Sequence, residues 1–129
     1  MHEAIKTTSA PLPHGHYSQA VRIGSFLFVS GQLPIDREGN VVKGTMAVEA
    51  TQVLENIRAI MEAASGSIED IVQCTIYISD IAHWAEVNGI YGAFFRKVPV
   101  PPARAVVPVK EMHFGARIEI QAIAFLNRA

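Results

Sequence analysis

The chain has 129 residues, 12 acidic and 11 basic, with a formal net charge of −1. That balance excludes a protein that grips phosphate backbones by bulk charge, and no run of Lys and Arg supplies a local patch. Half of the residues are hydrophobic and 18% are charged, which describes a single core-forming domain over 1–129.

Ala4 to Thr8 reads as a short edge strand, followed by a Pro-, Gly- and His-containing loop from Ala10 to His16. Two strands, Ala20 to Ile23 and Phe26 to Ser30, flank Gly24-Ser25, a two-residue connection opening with Gly that signals a hairpin. Asp36-Arg37-Glu38-Gly39-Asn40 is a second, exposed turn. From Thr45 to Ala64, Ala47, Ala50, Leu54, Ile57, Met61 and Ala64 recur at helical steps, with Val53 and Ile60 widening the stripe. Gly66 is the expected stop, and Ser67 with Asp70 forms a capping box for one short turn.

Ile71 to Ser79 alternates as a strand, with Val72, Cys74, Ile76 and Ile78 expected on one face. Cys74 is the only cysteine, so no internal disulfide forms, and the thiol is read as a small buried hydrophobe. Ser79 or Asp80 caps a second helix running to Phe95, with a stripe of Ile81, Trp84, Val87, Asn88, Tyr91 and Phe95. Strands over Ala103 to Val109 and Ala116 to Phe125 enclose a loop, Lys110 to Gly115. No apolar run reaches membrane-spanning length, and Met1 to Lys6 lacks the apolar core of a signal peptide, so the expectation is a soluble cytoplasmic protein.

This order predicts an α+β fold, a mixed sheet with two helices on one face. Phe26-Leu27-Phe28-Val29 carries large apolar residues on both faces, so the uncovered face is expected to meet a neighbouring subunit.

Four clusters could carry chemistry. Gly15-His16-Tyr17-Ser18-Gln19-Ala20 concentrates polar and aromatic groups before a strand; a Tyr-anchored turn explains it equally. Ser30-Gly31 ends a buried strand, as a bulge or as backbone presented to a small ligand. Asn88 sits on an apolar stripe and needs partners, whether tying its helix to a loop or lining a site. Arg104 interrupts a segment built for burial, and fifteen residues on Glu119 interrupts Ile118-Glu119-Ile120. These two form a structural ion pair, or they share a pocket in which Arg104 holds a ligand carboxylate bidentately and Glu119 positions a water. His14 and His16 have no further ligands at metal spacing, Ser30 has no His and Asp partners in sequence, and no phosphate-binding glycine motif is present.

Taken together, Gly15 to Val21, Val29-Ser30-Gly31-Gln32-Leu33-Pro34, Val87-Asn88 to Phe95, Pro102-Ala103-Arg104 and Ile118 to Ala124 resemble the Rid (YjgF/YER057c/UK114) family of reactive-intermediate imine deaminases, in the family's order and over nearly the whole chain. The resemblance implies a chorismate-mutase-like fold and a homotrimer, with sheets lining the centre, helices outside and sites between subunits. It implies cofactor-free hydrolysis of 2-imino acids, tautomers of 2-enamino acids released by pyridoxal-phosphate enzymes, to 2-oxo acids and ammonia. Arg104 matches the carboxylate anchor, assisted by the Val106 backbone N–H, and Glu119 the residue that orients water. Tyr17 and Asn88 match cleft-lining positions, and Ser30-Gly31 the cleft floor. A non-catalytic trimer binding small carboxylates is the alternative, with endoribonuclease a weaker one; neither nucleic acid nor membrane is an expected partner.

The chain departs from the family pattern at three places. Ala105-Val106 stands where many members have Ser-Cys, so the thiol often found there is absent; His16 stands where many have Pro; and Lys110 to Gly115 differs from the commonest loop. These departures leave the preferred imine open.

Overall fold

The computed structural model describes residues 1–126; the last three residues of the expected domain lie outside them. Its strands are β1 (Glu3–Ile5), β2 (Ala20–Ile23), β3 (Phe26–Gln32), β4 (Ile71–Ile78), β5 (Ala103–Pro108) and β6 (Ile118–Phe125), and its helices α1 (Met46–Ala63) and α2 (Trp84–Phe94). All six strands join one sheet in the order β1-β2-β3-β6-β4-β5, parallel at β4-β5 and antiparallel elsewhere. The α+β expectation therefore holds, with the parallel pair β4-β5 bridged by α2.

Thr45 begins α1 by accepting the Val48 N–H at 3.2 Å, and the apolar stripe then buries Ala50, Val53, Leu54, Ile57, Ile60 and Met61 against the sheet. Fully covering a side chain of this size stabilises the fold by about 1.5–3 kcal/mol. The end of α1 corrects the expectation for Gly66. Ser65, not Gly66, takes the left-handed conformation, with φ 63°. Gly66 is needed for space, because a Cβ there would lie 2.6 Å from the Leu126 side chain. The Ser67–Asp70 capping box is present and opens a short 3-10 turn over Ile68–Asp70.

Two stripe assignments also change. A bulge between Ile71 and Gln73 turns Val72 outward, so Ile71, Cys74, Ile76 and Ile78 are the buried residues of β4. Asp80 caps a separate 3-10 turn, Ile81–His83, before α2 begins. Ile81 and Trp84 are exposed, whereas Val87, Tyr91 and Phe95 enter the core.

Among the described residues the other sheet face carries no helix. Phe26, Phe28 and Phe125 stand on it 45, 46 and 39% exposed, in contact with one another at ring-centroid distances of 6.3 and 5.2 Å. No helix is long and apolar enough to cross a membrane among the described residues.

Candidate active site

Arg104 lies on β5 opposite Cys74 of β4 and points toward α2. Its Nη2 donates a 2.6 Å hydrogen bond to Asn88 Oδ1, and the guanidinium carbon sits 4.8 Å from the Tyr91 ring centroid and 5.7 Å from that of Trp84. Residues 84, 88 and 91 share one face of α2 by helical spacing. A charged donor on a neutral carbonyl oxygen is oriented without being neutralised, and the aromatic faces add cation–π attraction. Asn88 therefore meets the arginine itself, and half-buried Val106 follows two residues along on the same sheet face.

Beneath Arg104, the buried Tyr91 hydroxyl lies beside the Cys74 thiol, short of hydrogen-bond geometry. Burial pushes the thiol up to about 11, so it is a packing element and not a nucleophile.

Glu119 lies on β6 opposite Tyr77 of β4, between Ile118 and Ile120, both wholly buried under the helices. Strand alternation turns its carboxylate to the uncovered face, where it lies over Gly31 so closely that any Cβ there would overlap Glu119 Oε2. Burial raises the Glu119 pKa above its ordinary value of 4.5. Ser30 and Gly31 form the bulge where β3 slips against β6. The Ser30 hydroxyl donates to Ser18 O at 2.7 Å and its N–H to Gln19 O at 3.0 Å, so Ser30 fixes the neighbouring loop.

That loop and the turn before β6 enclose a cleft of about 220 Å³, with Tyr17, Gly31, His14 and Phe114 in its wall. The Tyr17 hydroxyl accepts the His14 N–H at 3.2 Å. Phe114, with φ 63°, stacks on His113 at a centroid distance of 4.4 Å and meets His14 at a tilt of 58° and 5.4 Å. His14, not His16, lines the cleft. Among the described residues no group of three or more His, Cys, Asp or Glu is disposed to hold a metal.

The expected residues thus fall into two groups: Arg104, Asn88 and Val106 on the helix side of the sheet, and Tyr17, Ser30, Gly31 and Glu119 on the other. Arg104 makes no ion pair with Glu119 within the chain, among the described residues. Three buried polar residues had not been singled out as anchors. Gln19 Nε2 donates to the carbonyls of Thr7, Ala10 and Pro11, fixing the loop ahead of Tyr17. Asn56 Nδ2 donates to Leu33 O and Ile35 O beyond Gly31. Glu49 on α1 receives Arg117 Nε at 2.8 Å and holds the entry to β6. The sequence signal for Glu49 and Asn56 was polar residues in register with the stripe containing Val53 and Ile60.

The family model described as endoribonuclease L-PSP matches residues 7–126. A RutC family protein of Pyrococcus horikoshii is 44% identical over 126 residues, 97% of this chain and 98% of the relative. Escherichia coli TdcF, solved with bound serine, is 34% identical with a TM-score of 0.92, covering 98% of this chain and 99% of that one. RidA from an Antarctic Psychrobacter species is 37% identical with a TM-score of 0.90, covering 95% of this chain and 98% of that one. With the fold and the motifs in the same order, the chain belongs to the Rid (YjgF/YER057c/UK114) family.

Proposed function

We propose that the protein is a cofactor-independent 2-imino acid hydrolase, acting as a homotrimer whose sites form between subunits. The observation that carries this reading is the oriented but un-neutralised guanidinium of Arg104, held by Asn88 Oδ1 at 2.6 Å. Such a group suits a substrate carboxylate. Because Glu119 faces the other side of the sheet, a site using both takes Arg104 from one subunit and Glu119 from the next. The apolar face of Phe26, Phe28 and Phe125 supports association of that kind.

The carboxylate of the substrate, R–C(=NH)–COO⁻, binds Arg104 and the Val106 N–H, and C2 rests beside Glu119. The raised pKa makes Glu119 a stronger base than an ordinary glutamate. It takes a proton from water as the oxygen attacks C2, and the C=N electron pair moves to nitrogen, which receives that proton from Glu119. Glu119 then takes the carbinolamine hydroxyl proton and passes it to the same nitrogen, so that the C=O bond forms as the C–N bond breaks and the 2-oxo acid and ammonia are released. The electrophile is already activated, so positioning suffices and no covalent nucleophile is required.

The serine bound to TdcF fits a site for small amino-acid-like carboxylates and supports a simple binder equally. A half-buried carboxylate such as Glu119 favours the enzyme, because a simple binder of small carboxylates needs only Arg104. The near-neutral charge gives an endoribonuclease reading no support.

The test is hydrolysis of 2-iminopropanoate generated in situ. Acceleration by wild type, lost in Arg104→Ala at unchanged fold and oligomeric state, supports the reading. No acceleration with this or a longer imino acid moves the assignment to the binding protein, and activity surviving in Arg104→Ala misplaces the site.

A further inference from the structure

The cleft of about 220 Å³ adjoins Glu119 through Gly31 and holds more than the methyl side chain of the smallest imino acid fills. We infer that it receives the substrate side chain and selects 2-imino acids with uncharged side chains of four carbons or more, branched-aliphatic or aromatic. This inference rests on the proposed hydrolase reading and specifies its substrate.

Gly31 is shared: it lies under the Glu119 carboxylate and also forms part of the cleft wall. An imine carbon has three substituents. With the nitrogen at the reacting centre and the carboxylate directed to Arg104 of the next subunit, the third passes over Gly31 into the cleft. There it meets Leu12, Leu33, Ile35, Tyr17 and Phe114. No Asp, Glu, Lys or Arg lines the cleft, so a charged side chain finds no counter-ion. The two histidines of the wall turn their rings to Phe114, at centroid distances of 5.4 and 4.4 Å, and so brace an apolar surface. A methyl group fills little of the 220 Å³ that this chain's own residues enclose.

Phe114 is the residue most exposed to test. It belongs to the Lys110 to Gly115 loop, where the chain departs from the common family sequence, and its left-handed backbone aims the ring back at His14. Removing that ring opens one wall to water and removes the apolar contact that distinguishes a large side chain from a methyl.

The experiment compares kcat/KM for the imines of alanine and leucine, generated by an amino-acid oxidase and followed with semicarbazide as competing trap. The ratio of the two, measured on one preparation, cancels the fraction of active enzyme. Wild type is expected to favour the leucine imine by about tenfold or more, the worth of several methylenes in an apolar pocket. Phe114→Ala and, independently, Leu12→Ala are expected to reduce that ratio severalfold. Equal rates or preference for the alanine imine in wild type overturn the inference and leave the hydrolase reading intact. A ratio unmoved in both variants overturns the cleft as its source. Hydrolysis of neither imine overturns both readings.

Discussion

Arg104 and Glu119 stand on opposite faces of one sheet with β4 between them, Arg104 in register with Cys74 and Glu119 with Tyr77. Two strand spacings and a three-residue offset put their Cα atoms roughly 14 Å apart with side chains diverging. No rotamer change within a chain joins them, so chemistry that needs both must draw on two subunits. Arg104→Ala and Glu119→Gln proteins are each expected to keep no more than about a hundredth of wild-type activity. After dissociation and reassembly as an equal mixture, about a quarter of the sites in a ring pair an intact Arg104 with an intact Glu119. Activity returning to about that fraction of wild type supports a shared site; none returning means that each chain builds its site alone.

The hydrogen bond between Arg104 and Asn88 has a consequence that separates orientation from charge. A hydrogen bond to a charged group contributes about 1.5–3 kcal/mol. Asn88→Ala should therefore lower kcat/KM about ten- to a hundredfold, chiefly by raising KM as the anchor loosens. Asn88→Asp keeps an acceptor in place but neutralises the guanidinium and competes with the substrate carboxylate, so it is expected to be worse than alanine. Steady-state kinetics of the two variants decide this. Asp performing as well as Asn would show that Asn88 acts by packing alone.

Gly31 makes room for Glu119, and a single methyl removes that room. The clash is with the end of a flexible side chain, so Gly31→Ala should swing the carboxylate aside at little cost to folding. A misplacement of about 1 Å in a reacting group costs on the order of a hundredfold in rate. The variant is expected to keep the melting temperature within a few degrees of wild type and to lose kcat on that scale. A large fall in melting temperature would instead make Gly31 structural.

Burial raises the Glu119 pKa above 4.5, and the direction fixes two pH effects. As pH falls through the raised value the carboxylate takes up a proton and can no longer accept one from water, so kcat/KM drops on the acid limb with an apparent pKa above 4.5. The folded chain also binds that proton more tightly than the unfolded chain does. The resulting stability is complete below the ordinary value and is lost as pH rises through the raised one. Glu119→Gln should thus lose about 10²–10⁴-fold in kcat/KM yet melt higher than wild type at pH 7, with the gain vanishing at low pH. Melting curves at both pH values, beside the rates, check the two signs together.

The sheet face of Glu119 was legible in the sequence, because Ile118, Ile120 and Ala122 claim the core and leave it the other side. That of Arg104 was not: Ala103, Ala105 and Val107 are about as apolar as its own face, so alternation along β5 does not choose between them. Asn88 stood out as polar on an apolar stripe, but that signal says only that it needs a partner. Its partner comes from a strand sixteen residues away, a tertiary fact. Val72 failed for a local reason, since a one-residue bulge inverts every later side chain relative to the first and leaves no mark in composition. The Gly66 stop failed because a glycine can be required by its neighbours' volume as well as by its backbone angles.

The ion pair of Glu49 and Arg117 shows how the candidate site depends on a residue outside it. Glu49 is 5% exposed on its side chain, and Arg117 is 34% exposed, two residues before Glu119. Arg117 Nε bonds Glu49 Oε2 at 2.8 Å, its backbone N–H donates to Oε1 at 3.3 Å, and its Nη2 reaches Gly44 O at 2.6 Å. One carboxylate thus pins the start of β6 to the first turn of α1. Glu49→Ala leaves a backbone donor and a guanidinium without their acceptor, and partial exposure lets water replace some of it. The expected cost is about 1–3 kcal/mol. The contrasting pair, Glu55 with Arg58, is open to solvent at 51 and 38% exposure, so Glu55→Ala should change stability by less than about 1 kcal/mol. Urea unfolding of both variants at one protein concentration compares them directly. Equal effects would mean that burial of Glu49 adds nothing, and that the entry to β6 is held by the sheet alone.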